Sequence, residues 1–362
     1  MKIYLVGGAV RDKLLGIDPK EKDWVIVNGN RDKLIDMGYK QVGKDFPVFL
    51  HPETSEEYAL ARVERKVDKG HKGFKFDTNN NVTLEEDLSR RDITINAIAQ
   101  DDNGKYIDPY NGILDIKNRT IKHVSNAFVE DPLRTFRVAR FYAQFSEYDF
   151  TIHESTYKIM RKLSETGEIE TLSKERLWGE LSKAFNAKKP WMFFEVLIKS
   201  NVAKNYFPEL LDNSLLEEKI NFYANLDIEK DIFLSIAGFS INFVETFGFP
   251  KKILDLYFMF NEFSVKLISL KNESKDILDF LNSLDAFRRP QRLQYLIKQI
   301  ELFQKFHNMK DENKLHIFKK LKIIIENKID YGNLSNLSVY KIKERVEHIN
   351  LSIINLVLSE ED

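Results

Sequence analysis

The spacing of apolar residues changes partway along the chain. Over the first 125 or so positions they come in short runs broken by turn residues. Ile3 to Val6 is a β-prone run closed by Gly7-Gly8, and Ala9 to Leu15 resumes at helical spacing. That order predicts a strand, a tight turn and a helix start. Asp23–Val27, Val48–Leu50 and Tyr58–Ala61 also read as strands. Asn28-Gly29, Pro47, Pro52 and Asn103-Gly104 read as turns. Lys66–Asn81 is basic and rich in asparagine, with glycine, and reads as a mobile loop. From about Asp131 the helical period takes over and runs to the C-terminus. Breaks fall at Ala187–Pro190, Phe207-Pro208, Gly248–Pro250 and Arg288–Pro290. The pattern predicts an α+β fold: an N-terminal head with a small mixed sheet, followed by an all-helical remainder. No internal repeat stands out.

A length of 362 residues predicts two or three domains, and 43% hydrophobic content supplies their cores. There is no cysteine, which excludes disulfides and cysteine–zinc sites and fits a reducing cytoplasm. No apolar run is long enough to span a membrane, and charge follows the N-terminus within a turn, so neither a membrane nor a signal peptide is expected. The balance of 55 basic and 56 acidic residues leaves a net charge of -1. A nucleic-acid partner would therefore have to be met by a local basic patch.

Three motifs carry chemistry. Glu21 and Asp23 are separated by one residue; on a strand, positions i and i+2 share a face. Two such carboxylates beside a glycine turn suit Mg²⁺, which takes a few carboxylates together with substrate phosphates. In EEDLSRRDITINAIA, Arg90 and Arg91 are forks for phosphate oxygens, with Asp92 placed to hold them. In VEDPLRTFRVARF, Asp131-Pro132 is a helix start with Asp as N-cap, and Arg134, Arg137 and Arg140 follow at steps of three. An Asp with an Arg offers an acceptor and donors to a base edge. Alone, each motif also reads blandly, as a turn, a solvated acidic pair, an ion-pair cluster or a capped helix with a charged face. The glycine turn just upstream favours the metal reading of Glu21 and Asp23.

Taken in order, GGAVRD, the carboxylate pair, RRDITINAIA, DPYNGILDIKNR and EDPLRTFRVARF resemble the class II CCA-adding enzymes. These are bacterial tRNA nucleotidyltransferases of the polymerase-β-like superfamily. The likeness is close to about residue 210 and weaker beyond, as at SLDAFRRPQR. It implies Mg-dependent, template-independent addition of CCA to tRNA from CTP and ATP, with release of pyrophosphate. By matching motif, Gly8 and Arg11 would contact the nucleotide, Glu21 and Asp23 would hold Mg²⁺, and Arg91 would bind the triphosphate. Asp131 and Arg134 would read the incoming base, with Arg137 and Arg140 lining the same pocket. Asp108, Gly112 and Arg119 match a motif thought to couple head and neck movements. Arg65 to Asn81 falls at the family's flexible loop. The implied domains are a nucleotidyltransferase head (1–125), a helical neck that recognises the base (126–210) and a tRNA-contacting body and tail (211–362).

Two departures stand out. The family usually has Asp at the position of Glu21, so the longer side chain should move the metal or the backbone. Relatives often carry a His-Asp phosphohydrolase motif; no such dipeptide occurs here, and SIAGFSINF stands in its place. No tail phosphatase is expected, and the seven scattered histidines read as ordinary residues. Alternatives are a bacterial poly(A) polymerase, an enzyme adding only CC or only A, and a non-catalytic tRNA-binding descendant. Trp24, Trp178 and Trp191 read as core anchors and the Lys314–Lys322 face as solvated. Monomer and homodimer both remain open.

Overall fold

The computed structural model describes residues 1–42, 48–66, 74–77, 82–211, 213–309, 312–327, 330–332, 334–335 and 337–360. Its first part alternates short strands and helices: β1 (Lys2–Val6), α1 (Gly8–Leu14), β2 (Asp23–Val27), α2 (Arg31–Asp36), β3 (Lys40–Val42), β4 (Val48–Leu50), β5 (Glu57–Leu60), β6 (Val63–Lys66), β7 (Phe74–Asp77), α3 (Leu84–Ser89), β8 (Ala99–Gln100), β9 (Tyr106–Ile107), α4 (Gly112–Lys117) and β10 (Thr120–Ile121). A 3-10 turn, Thr94–Asn96, precedes β8. Seven strands form a sheet in the order β3-β4-β5-β2-β1-β8-β9. Only β2 and β5 pair in parallel, so the sheet is mixed, as expected.

Strand alternation sorts the side chains. Val25 and Val27 of β2 join Val6, Leu88 and Ala97 on one face. Ile26 points the other way, to Leu34, Phe49 and Leu60. β1 and β2 therefore sit buried at the sheet's centre, with Val6 opposite Asp23. Part of the segment read as a loop is a hairpin: β6 and β7 pair antiparallel, Lys66 opposite Phe74. The period-two run Phe-Lys-Phe was the strand signal there. The rest of that segment lies outside the described residues, as does Pro47.

The remainder is helical apart from one two-residue strand: α5 (Leu133–Gln144), β11 (Thr151–Ile152), α6 (Glu154–Ser164), α7 (Lys174–Ala184), α8 (Trp191–Lys199), α9 (Val202–Tyr206), α10 (Ser214–Ala224), α11 (Lys230–Ile236), α12 (Ile241–Thr246), α13 (Lys251–Ile268), α14 (Ser274–Ser283), α15 (Pro290–Phe306), α16 (Glu312–Glu326) and α17 (Val339–Ser359). The expected breaks fall between helices, the last of them ending on Pro290, the first residue of α15. β11 pairs in parallel with β10.

Two compact units result. One comprises residues 1–217 with 245–248, the other 218–244 with 249–362. The expected head and neck thus share one unit. In it α5 packs on α7 and α8, and Phe136 meets Phe193 and Phe247. Phe247 also lies 5.1 Å from Phe207, and Gly248 sits so close to Lys174 that a Cβ would come within 2.5 Å of it. In the second unit α11, α13 and α15 pack together. There Gln299 donates to Ser235 Oγ at 2.7 Å and to the Leu256 carbonyl at 3.1 Å, and Phe239 stacks on Phe243. Trp191 is buried as expected; Trp24 and Trp178 are only half-buried. No described helix is long and apolar enough to cross a membrane.

Candidate active site

The end of β1, the start of β2, the end of α3 and one face of α5 line a cavity of about 550 Å³ in the first unit. Every residue expected at the site, Gly8, Arg11, Glu21, Asp23, Arg91, Asp131, Arg134, Arg137 and Arg140, lines it. Nine basic and four acidic side chains do so, a strong local excess in a chain whose net charge is -1. Such a cavity suits a polyanion the size of a nucleoside triphosphate.

Gly7 ends β1 at φ +70°, a conformation that favours glycine, and a Cβ there would lie 2.8 Å from an Arg91 guanidinium nitrogen. The turn is therefore glycine both for its backbone and for the approach of Arg91. Asp23 opens β2, but Glu21 lies before the strand, so the two carboxylates do not share a strand face as expected. Burial raises the Asp23 pKa; the Arg91 guanidinium opposes this and the Glu21 carboxylate adds to it. Neither carboxylate accepts a hydrogen bond among the described residues.

The arginine forks are held differently from the expectation. Asp92 does not orient Arg91. The buried Asp87 of α3 takes Arg90 at 2.6 Å and Arg91 at 3.5 Å. Burial would raise the Asp87 pKa, but Arg90 and Arg91 outweigh it and hold it below the usual range. The signal was present as the Asp-Leu-Ser-Arg-Arg spacing, i to i+3 and i+4 on a helix end. Arg91 also donates to the Asn96 carbonyl at 3.4 Å, while its Nε is buried without a partner. Asp92 turns to α5: Arg137 Nε donates to it at 2.7 Å. Burial acts to raise its pKa, and Arg137 with Asn96 drives it well below the ordinary value.

Asn96 joins these groups. Its Oδ1 accepts Arg11 at 2.7 Å and its Nδ2 donates to Asp92 at 3.1 Å. Arg11 is further held by Asp12 and lies 5.0 Å from the Phe145 ring. On α5, Arg134 and Arg140 are not a solvated stripe but buried. Arg134 donates to the Ala127 carbonyl, and Arg140 pairs with Glu180 of α7 and lies 3.9 Å from the Phe141 ring. The acids that balance the stripe come from α7 and from Asp92, out of reach of a local reading. The helix begins at Leu133 with Pro132 at its cap position; the Asp131 carboxylate still accepts the Leu133 N–H at 3.1 Å. Its other oxygen takes Arg176 at 2.7 Å. Arg62, Asn96, Arg176 and Lys183 in the lining, with Asp87 and Glu180 that pair with its arginines, are the residues whose part the sequence reading passed over.

The motif at Asp108 braces this arrangement from behind. The Asp108 carboxylate accepts the N–H groups of Gly112 and Ile113 at 2.7 and 2.9 Å. A Cβ at Gly112 would lie 2.2 Å from the carbonyl oxygen of Thr94, in the turn that carries Asn96. Arg119 takes φ +53° just before β10 and lies 5.6 Å from the Phe150 ring.

Fold and site together define a nucleotidyltransferase with a polymerase-type head. Residues 3–122 match the poly A polymerase head domain family, and residues 149–213 match a family described as the probable RNA and SrmB-binding site of polymerase A. A CCA-adding enzyme of Buchnera aphidicola is 41% identical, over 84% of this chain and 83% of that protein. The chain belongs to the CCA-adding enzyme family. A multifunctional CCA protein of Mannheimia succiniciproducens is 54% identical over 58% of this chain, which spans half of that relative. The fold is also that of the Bacillus stearothermophilus CCA-adding enzyme solved with CTP: TM-score 0.64, 20% identity, 98% of this chain and 88% of that one covered.

Proposed function

We propose that this chain adds C, C and A to the 3′ end of tRNA from CTP and ATP, releasing pyrophosphate. One observation carries the reading. A single cavity joins the Glu21–Asp23 carboxylate pair, an arginine wall and, at the start of α5, Asp131 with Arg134. In this reading residues 1–125 act as catalytic head and 126–210 as the neck that reads the base, while 211–362 contact tRNA. The substrates are cytoplasmic, and so is the reaction.

Glu21 and Asp23 are the candidate metal ligands. Both are oxygen donors whose carboxylates accept no hydrogen bond among the described residues, and burial, opposed by Arg91 and reinforced by Glu21, raises the Asp23 pKa, so a hard divalent cation suits them. Mg²⁺ is the proposed ion. Bound there, it would supply positive charge to the α-phosphate and to the attacking hydroxyl. No group of three or more His, Cys, Asp or Glu suited to a metal occurs among the described residues. The two carboxylates would therefore share the ion with substrate phosphates.

The protein's own work is positioning and charge. Arg91, with Arg90 beside it, receives the triphosphate where Gly7 leaves room. Asp131 offers an acceptor and Arg134 donors to the base edge, and Arg137 and Arg140 hold that wall. The 3′-hydroxyl of the bound RNA attacks the α-phosphorus. The bond to the bridging oxygen breaks, and the charge that grows on pyrophosphate meets the arginines.

The test is incorporation of labelled CTP and ATP, with Mg²⁺, into tRNA lacking CCA and tRNA ending in CC. Addition that stops at CCA, abolished by Asp23→Ala, is expected. Long A tails would make the chain a poly(A) polymerase, and addition of CC or A alone a partial enzyme. Binding of tRNA without incorporation, reversed by Glu21→Asp, would mark a non-catalytic descendant.

A further inference from the structure

The phrase SLDAFRRPQR, which the catalytic site does not use, helps to frame a second cavity. It lies wholly within the second unit, at the first turns of α13 and α15, with a volume of about 430 Å³. Lys251, Lys252, Arg289 and Arg292 form its cationic side, against the single acid Asp255. Its remaining lining is Leu256, Met259 and Tyr295.

This arrangement is electrostatically unbalanced. α13 and α15 are 18 and 17 residues long, and neither has a side-chain cap or an acidic residue in its first turn. Cations at a helix N-terminus oppose the helix dipole, whereas an anion there is favoured. Some of the charge is answered: Lys252 pairs with Asp231 at 2.7 Å and Arg289 with Asp285 at 3.4 Å. Lys251 and Arg292 have no ion-pair partner among the described residues. The Arg292 Nε is also without a hydrogen bond among the described residues.

A bare anion would satisfy the cations but leave the apolar floor idle. A nucleotide uses both. Its base would rest on the half-buried Tyr295 ring, already 6.0 Å from the Lys252 ammonium, beside the edges of the buried Leu256 and Met259. Its phosphate meets Lys251, Arg292 and the two helix ends. We propose that this cavity is a second nucleotide-binding site, taking one unstacked nucleotide with its phosphate. That nucleotide comes either from an RNA strand or from the free pool. The site shares no residue with the catalytic cavity, and the proposal stands whether or not the chain adds CCA.

The test is photo-crosslinking of the full chain with two probes: 4-thiouridine monophosphate and a short single-stranded RNA bearing one 4-thiouridine. The expected result is label on peptides containing Met259 or Tyr295. That label falls at least about tenfold in the double variant Lys251→Ala/Arg292→Gln, which removes both charge-assisted contacts to the phosphate. Tyr295→Leu, which removes the stacking ring but not the apolar surface, lowers it as well. Far-ultraviolet circular dichroism and melting temperatures that match the parent protein show that the variants are folded. Labelling by the RNA probe alone identifies an RNA strand; labelling by both identifies a site that also takes free nucleotide. Absence of label from these peptides with both probes, or label undiminished in the double variant, overturns the proposal.

Discussion

Replacing Gly112 by alanine tests whether the brace behind the site sets its geometry. The added Cβ would stand 2.2 Å from the Thr94 carbonyl oxygen and 2.9 Å from its carbon. Ordinary contact is about 3.5 Å, so backbone must yield by roughly 1 Å, since no side chain can swing aside. Overpacking of this kind costs about 1–3 kcal/mol. At roughly 2–4 °C per kcal/mol for a unit of this size, melting should fall by about 2–12 °C. The displaced turn carries Asn96, which holds Arg11 and Asp92 and accepts from Arg91. A shift of about 1 Å there should cost about 10²-fold in the chemical step. Single-turnover addition of CTP to tRNA lacking CCA, measured well below the variant's melting point, reads that loss. Gly179→Ala is the control: nothing lies within 4 Å of its Cβ in α7, so it should stabilise by about 0.4–1 kcal/mol. A Gly112→Ala protein that melts lower yet reacts at the normal rate would refute the link from Thr94 to Asn96.

Other perturbations follow from the same contacts. Glu180→Gln leaves the buried Arg140 without its counter-charge and should cost about 3–5 kcal/mol in denaturant unfolding; a loss below about 1 kcal/mol would show that the pair is dispensable. Gly7→Ala forces φ +70° on a residue with a Cβ and pushes Arg91, so KM should rise for CTP and ATP alike, about tenfold per ~1.4 kcal/mol of phosphate binding lost. Asp87 and Asp92 both titrate below their unfolded value of about 3.9, so their stabilisation is complete above that pH and lost as pH falls through the folded values. Acid unfolding followed by circular dichroism should therefore be shallower in Asp92→Asn than in the parent protein, and an identical acid limb would count against the Asp92–Arg137 pair.

Local patterns made the elements legible, while long-range pairing stayed hidden. β1, β2, β4 and β5 were visible because each is a short apolar run between turn residues. β8 to β11 are two residues long; β8 and β9 pair locally across the Asn103-Gly104 turn, but β8 also needs β1, and β10 needs β11 thirty positions on, which no periodicity reveals. The residues singled out by motif do meet in one cavity. Their roles within it were harder to see. Glu180 reaches Arg140 across 40 positions, and Arg176 reaches Asp131 across 45. A sequence shows three arginines in a row along a helix; only the fold shows which acids answer them. Asp87 was the exception, since its spacing to Arg90 and Arg91 was a local signal left unused.

The four residues 245–248 give the chain a topology that resists dissection. They complete the first unit although the chain has already entered the second at residue 218 and returns to it at 249. Phe247, fully buried against Phe136 and Phe207, is thus supplied from beyond the point where a fragment would be cut. A piece ending at residue 217 lacks that ring, a deletion on the scale of Phe→Ala at about 3–5 kcal/mol. The chain contributes to the first unit twice, before and after it has entered the second. A recombination event that exchanged everything after residue 217 would have to bring a compatible plug with it, which ties the inheritance of the helical remainder to that of the catalytic unit.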